Sequence, residues 1–207
     1  MIWPADPSNT LSNSEGLKNQ ELLGTEWRQD ARGLQQAMSH LHQSGWYWGP
    51  VTAAEASQVL SNTPEGTFLL RDSYYKDYVL TLSMKTNLGP IHLRIEYCNG
   101  QFGFDTVMKT HLQEFGGAVD LVQHYALNYR HSSKCKQEPI TGRDSPGSST
   151  AVSEHCLQMK LTRPLYKVSP SLQHLCRMTI NRHFCNHYNL PLPERLKDFL
   201  MEYPFVL

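Results

Sequence analysis

The sequence predicts an α+β protein in which a central antiparallel sheet is flanked by two helices, with one helix ahead of this unit and a helical segment behind it. Three observations carry that expectation. A capped helical stretch at 52–60 is followed by short apolar or alternating runs at 67–71, 78–84 and 91–97, and these by a helical pattern at 118–125. Asn99–Gly100 after the last of these runs is a strong hairpin signal. The final 39 residues carry two apolar stripes at helical spacing, separated by Leu190–Pro191–Leu192–Pro193.

Residues 1–25 are polar, rich in Ser and Asn, and hold two prolines, a composition that predicts a disordered tail. From Glu26 to Gln43 the pattern turns helical, with Leu34, Met38 and Leu41 at i, i+4 and i+7, and Gly45 stops it. An amphipathic extension helix over 26–45, packed on the next domain, is the expectation. That domain, 46–166, opens on the aromatic cluster Trp46–Tyr47–Trp48–Gly49. Thr52 with Glu55 three residues on makes a capping box. Pro64–Glu65–Gly66 turns the chain into Thr67–Phe68–Leu69–Leu70–Arg71, an apolar strand that ends in a charge. Tyr78–Met84, Ile91–Tyr97 and Gln101–Asp105 follow as strands, and Ala118–Tyr125 as a helix with Val119, Val122 and Tyr125 on one side. Residues 130–155 have the composition of a long exposed loop, and Leu157–Thr162 reads as a last strand. In 169–207, Ser169 caps a helix with Pro170 in its first position. Leu172, Leu175, Cys176, Thr179 and Ile180 form its stripe, and Leu196, Phe199, Leu200 and Tyr203 form the second. Two helices this short cannot close a core alone. The stripes extend further than one contact with the domain requires, so a partner protein is expected on them.

Nineteen basic and nineteen acidic residues among 207 leave no formal charge, which argues against a general nucleic-acid or membrane binder. Residues 46–129 carry 5 Lys/Arg against 8 Asp/Glu, so any anion bound there must be held by a few placed arginines. No apolar run approaches the roughly 18 residues of a spanning helix. The opening MIWPADPSNTLSNSEG lacks the basic start and apolar stretch of a secretory leader, and the five cysteines have no framework spacing. A reduced, cytoplasmic protein is the expectation.

Arg71 is the most informative residue. An arginine closing an apolar strand is costly to bury unless it meets an anion. A salt bridge to Asp72, Asp77 or Glu55 would satisfy it. So would a bound phosphate, because Asp72–Ser73–Tyr74–Tyr75–Lys76 is a polar loop offering hydroxyls and amides. Thr81, His92 and Arg94 on the next two strands could face the same spot. With no Walker loop and no acidic metal cluster, such an anion would be bound rather than transferred, and neither a metal nor a cofactor is expected.

The segments WYWG, GTFLLRDS, YVLTLSM and HLRIEY resemble a Src-homology 2 (SH2) domain over residues 46–166. The resemblance implies that Arg71 receives phosphotyrosine, that Ser73 and Tyr74 sit in the phosphate loop, and that Thr81 and Arg94 complete the pocket. Many SH2 domains place a further arginine early in the first helix, where this chain has Ala53 and Ala54. His92 falls where many have a histidine near the phosphotyrosine ring, and a plain cross-strand histidine fits equally. The stretch SLQHLC with Ile180 resembles the elongin-binding box of a SOCS box, which implies that Leu172, Leu175, Cys176 and Ile180 contact elongin. Leu190, Pro191, Leu192 and Pro193 resemble a cullin box of the cullin 5 type. An SH2 domain followed by a SOCS box is the layout of the suppressor of cytokine signalling family, and PEGTFLLRDS, SPSLQHLCR and EYPFVL place the chain nearest the cytokine-inducible SH2-containing (CIS) branch and its closest sister. This implies a non-catalytic receptor subunit of an elongin B/C–cullin 5 ubiquitin ligase that recognises tyrosine-phosphorylated cytokine receptor tails in JAK–STAT feedback. The short basic segment that some members use for kinase inhibition has no counterpart before Trp46.

Three rivals follow from the residues. A catalytic ligase would need a reactive thiol; Cys176 and Cys185 are candidates only by type, and Cys176 lies on an apolar stripe, where a thiol is usually inert and reads by itself as a buried small hydrophobe. His183, Cys185 and His187 cluster, with His174 and Cys176 upstream, but the i, i+2 spacing matches no usual zinc pattern. An SH2 adaptor that blocks phosphotyrosine sites without recruiting a ligase is the third.

Overall fold

The computed structural model describes residues 32–105, 113–135 (backbone only for 132–135), 159–184 and 186–207. The expected tail 1–25, most of the expected loop, and the start of the extension helix lie outside them. Helix α1 covers residues 32–43. It buries Ala37 and Leu41 and packs Leu34 and Met38 on the core, as the i, i+4, i+7 pattern requires. Helix α2 (Ala53–Ser61) starts at Thr52, whose side chain accepts from the Glu55 amide while Glu55 accepts from Thr52 in return.

The strands are β1 (Thr67–Asp72), β2 (Leu80–Thr86), β3 (Gly89–Cys98), β4 (Gln101–Phe104) and the short β5 (Arg163–Pro164). They line up in the order β4-β3-β2-β1-β5, antiparallel except for the β1–β5 pair. Asn99 and Gly100 turn the β3–β4 hairpin with φ of 50° and 80°, the left-handed pair that a type I′ turn needs. Alternation divides the sheet. Phe68, Leu70, Leu80, Leu82, Ile95, Phe102 and Phe104 face the main core, against helix α3 (Ala118–Cys135) with Val119, Val122 and Tyr125. Leu69 faces the other way and joins Ala56 and Leu60 of α2 in a smaller cluster. The rest of that second face is polar: Arg71, Thr81, Ser83, His92 and Arg94.

Several boundaries differ from the sequence reading. Helix α3 continues ten residues past Tyr125, so 130–135, expected as loop, are helical. The stretch expected as a strand to Thr162 is not one. Met159 and Leu161 are buried in the core without a ladder, and pairing begins only at Arg163, opposite Thr67. Gly66 is the contact of this segment just ahead of the ladder. At φ +82° it lies so close under this segment that a Cβ there would sit 2.7 Å from the Lys160 carbonyl oxygen, and the Gly66 carbonyl accepts from the Thr162 amide. The C-terminal helix α4 (Leu172–His183) is capped by Ser171, not by Ser169 with Pro170 first. Ser171 is extended and its hydroxyl oxygen takes the His174 amide at 3.1 Å, which starts the helix two residues later. A 3₁₀ turn (His187–Asn189) and helix α5 (Glu194–Glu202) complete the chain. Met178, Tyr203 and Leu207 belong to the same core cluster as the sheet and α1, so the C-terminal unit shares the domain's interior. None of the described helices is long and apolar enough to cross a membrane.

Candidate functional site

Strand register assembles the site. Arg71 pairs with Thr81, and Thr81 with Arg94, so the three stand in one row across β1, β2 and β3 on the polar face. Ser83 and His92 form the adjacent row. Together with Ala53, Tyr74 and Tyr75, the residues Arg71, Thr81, His92 and Arg94 line a cavity of about 550 Å³.

Arg71 is 5% exposed. Its Nε donates to Ser83 Oγ at 3.1 Å and its Nη1 to the Asp72 carbonyl at 3.0 Å. None of the salt bridges between described residues includes it. Of the three carboxylates that could have paired with it, Asp72 takes a hydrogen bond from Tyr47 and Glu55 one from Thr52, and Asp77 makes no ion pair with it. Burial lowers the Arg71 pKa, yet a guanidinium stays protonated in a protein. Among the described residues, a buried cation with no paired carboxylate therefore faces the cavity. His92 joins two serines, Nδ1 lying 2.9 Å from Ser83 Oγ and Nε2 3.1 Å from Ser57 Oγ. Burial and, second, the charge of Arg71 hold its pKa below the usual histidine value, so the ring is neutral at pH 7.

Arg94 is held differently. Its guanidinium carbon lies 4.0 Å from the Tyr75 ring centroid and 5.5 Å from that of Tyr78, and Nη1 is 4.0 Å from Asp105 Oδ2. Tyr78 donates to the same carboxylate oxygen at 2.6 Å. Tyr74 donates to the Pro50 carbonyl at 3.2 Å, and Ser73 Oγ accepts from the Tyr75 amide. All five expected residues (Arg71, Ser73, Tyr74, Thr81 and Arg94) thus lie in or beside one cavity, although Ser73 is not among its lining residues. Ser57, Ser83, Tyr78 and Asp105 escaped the sequence reading, and Tyr75 entered it only as part of the polar loop. Ser83 was findable, because it follows Thr81 by two on the same strand; Asp105, at a strand end, had no signal.

The other expected set lies on α4, where most of the stripe is open, as the expected partner requires. Only the reading of Cys176 as a buried small hydrophobe is not met. Leu172 is 77% exposed, Leu175 41%, and Cys176 is exposed too, not buried. Ile180 is half-buried. The face that docks on the domain is instead the polar one: His174, Arg177 and Asn181, with Met178, are buried. Arg177 donates to the Phe199 carbonyl at 3.1 Å, to Gln43 Oε1 at 2.9 Å and to His174 Nδ1 at 2.8 Å. Asn181 donates to the Tyr203 carbonyl at 2.6 Å. Leu190 and Leu192 are half-buried and Pro191 and Pro193 exposed, with Pro193 standing before α5. No group of three metal-ligating side chains occurs among the described residues; Cys185 lies outside them.

A sheet with one arginine-bearing polar face, flanked by two helices and continued into a helical unit with an exposed apolar stripe, is the layout of an SH2 domain joined to a SOCS box. The SH2 domain model matches residues 46–125 and the SOCS box model residues 169–201. Suppressor of cytokine signaling 2 of Homo sapiens is 45% identical over 177 residues, covering 84% of this chain and 83% of that protein. The cytokine-inducible SH2-containing protein of Gallus gallus is 42% identical over 183 residues, covering 86% and 74%. That of Bos taurus is 39% identical over 191 residues, covering 86% and 75%. The chain belongs to the suppressor of cytokine signaling family.

Proposed function

We propose that the chain is the phosphotyrosine-binding substrate receptor of an elongin B/C–cullin 5 ubiquitin ligase, and through it a negative-feedback regulator of cytokine-receptor JAK–STAT signalling in the cytoplasm, with no catalytic step of its own. The observation that carries the reading is the buried, carboxylate-free Arg71 at the floor of the cavity. A phosphate dianion there gains the planar guanidinium fork, the Thr81 hydroxyl and the donors of the Ser73–Tyr74 loop, each charged hydrogen bond contributing about 1.5–3 kcal/mol. Arg94 supplies the second cation at the mouth. The aromatic ring of the ligand lies between this row and α2, where Ala53 leaves room.

The ligase half is supported by the exposed stripe of Leu172, Leu175 and Cys176, backed by a helix face already satisfied against the domain. Such a stripe fits an apolar groove on elongin C as an amphipathic helix fits any groove, through anchors one turn apart. Leu190–Pro193, beyond the first helix, is assigned to cullin 5. The test is a pull-down of elongin B/C, cullin 5 and a phosphotyrosine peptide with wild type and with Leu172→Pro combined with Cys176→Phe. The double variant is expected to lose elongins and keep the peptide, because the pocket lies on another surface. Equal retention of elongins by both proteins rejects the ligase assignment and leaves an adaptor that acts by occupying phosphotyrosine sites.

A further inference from the structure

We propose that Tyr75 is a positioning residue that makes this pocket select an aryl phosphate, because its ring holds the Arg94 guanidinium as a platform on which the ligand's own ring stacks. The inference rests on the phosphotyrosine reading and extends it to what the pocket prefers. Tyr75 is 59% exposed and belongs to neither apolar cluster, so packing does not account for where its ring lies. Its ring meets the Arg94 guanidinium, 4.0 Å from the centroid, its hydroxyl is a hydrogen-bond partner of the same group, and both residues line the cavity with Arg71. Asp105 is the weaker hold on that arginine, since Oδ2 is 4.0 Å from Nη1 while taking the Tyr78 hydroxyl at 2.6 Å. A guanidinium donates hydrogen bonds in its plane and stacks through its faces. Held by the Tyr75 ring at 4.0 Å, with the Tyr78 ring farther off at 5.5 Å, it can donate to phosphate oxygens along an edge and offer its remaining face to the ligand's ring. A phosphate without a ring uses only the edge. Arg71 and Thr81 read the phosphate in either case, so Tyr75 contributes to the aryl part alone.

The experiment is an NMR titration of the full chain with phenyl phosphate and with inorganic phosphate, comparing wild type, Tyr75→Phe and Tyr75→Leu. Tyr75→Leu should weaken phenyl phosphate by at least about fivefold and inorganic phosphate by less than about twofold, while Tyr75→Phe, which keeps the ring and loses only the hydroxyl, stays closer to wild type than Tyr75→Leu for phenyl phosphate. Equal weakening of the two ions by Tyr75→Leu, or no weakening of phenyl phosphate, overturns the proposal. Failure of the wild type to bind phenyl phosphate at Arg71 is a different result, and it rejects the phosphotyrosine reading instead.

Discussion

Arg71 tests the pocket most sharply, because its charge and its geometry can be separated. Lysine keeps the cation but cannot hold Ser83 and a phosphate through one planar fork. Arg71→Lys is therefore expected to weaken a phosphotyrosine peptide at least about tenfold, roughly 1.4 kcal/mol or more, read by calorimetry on a folded variant. Ala53 makes the complementary test. It lines the cavity on the α2 side, opposite the row of arginines, and contributes no charge. Ala53→Arg should tighten the same peptide, and more steeply at low salt, as an added phosphate contact would. If Arg71→Lys binds like wild type, or Ala53→Arg is silent at every ionic strength, phosphate does not sit where the row of arginines puts it. The position of Arg71 was legible in the sequence, since a charge closing an apolar strand is conspicuous. Its lack of a carboxylate partner was not, because that depends on Tyr47 and Thr52 having claimed Asp72 and Glu55 first.

Helix α4 is the element whose pattern left most open. Its apolar stripe was legible, but which face would dock was not. Apolar periodicity marks the residues that want cover without saying what covers them. The docked face uses Arg177, whose guanidinium ties α1, α4 and α5 together and lies 4.3 Å from the Phe199 ring centroid. Two variants separate the faces. Leu172→Ala, on the exposed side, should change the stability of the free chain by no more than about 0.5 kcal/mol while weakening elongin capture. Asn181→Ala, on the docked side, takes away the donor of the Tyr203 carbonyl and should cost about 1–3 kcal/mol in denaturant unfolding. A large loss of free-chain stability in Leu172→Ala would mean that the stripe already has a place on the domain.

The molecule as a whole carries a pH dependence of definite sign. His40, His92 and His174 all have lowered pKa values, burial being the largest cause in each. His174 is the clearest case. Arg177 can only donate, so His174 Nδ1 must accept and the ring must be neutral. In the unfolded chain these rings bind protons below about pH 6.5, and in the folded chain they resist until lower pH, so folding stability falls as pH drops from 7.5 to 5.5. Thermal midpoints across that range should fall more steeply for wild type than for His174→Gln. Identical slopes would show that the junction does not hold His174 neutral. The sheet order, the capping box and the Asn99–Gly100 turn were readable because each depends on neighbours in sequence. The run-on of α3 and the late start of β5 depend on contacts made across the chain, at Gly66 and in the core, and no local pattern reports those.

The shared interior of the C-terminal unit and the sheet bears on how long the molecule survives. Tyr203 is fully buried among residues of both, its hydroxyl donates to the Leu207 carbonyl, and the Val206 amide donates to Gln123 of α3. A protein whose two functional ends share one interior has one melting equilibrium, and whatever occupies one end lends its free energy to the other. At a free partner concentration a hundred times its dissociation constant, an occupant of the α4 stripe would add about 2.7 kcal/mol to that equilibrium. Copies whose stripe is empty would then be the ones that open first, so that occupancy at one end would set how long the pocket at the other end lasts.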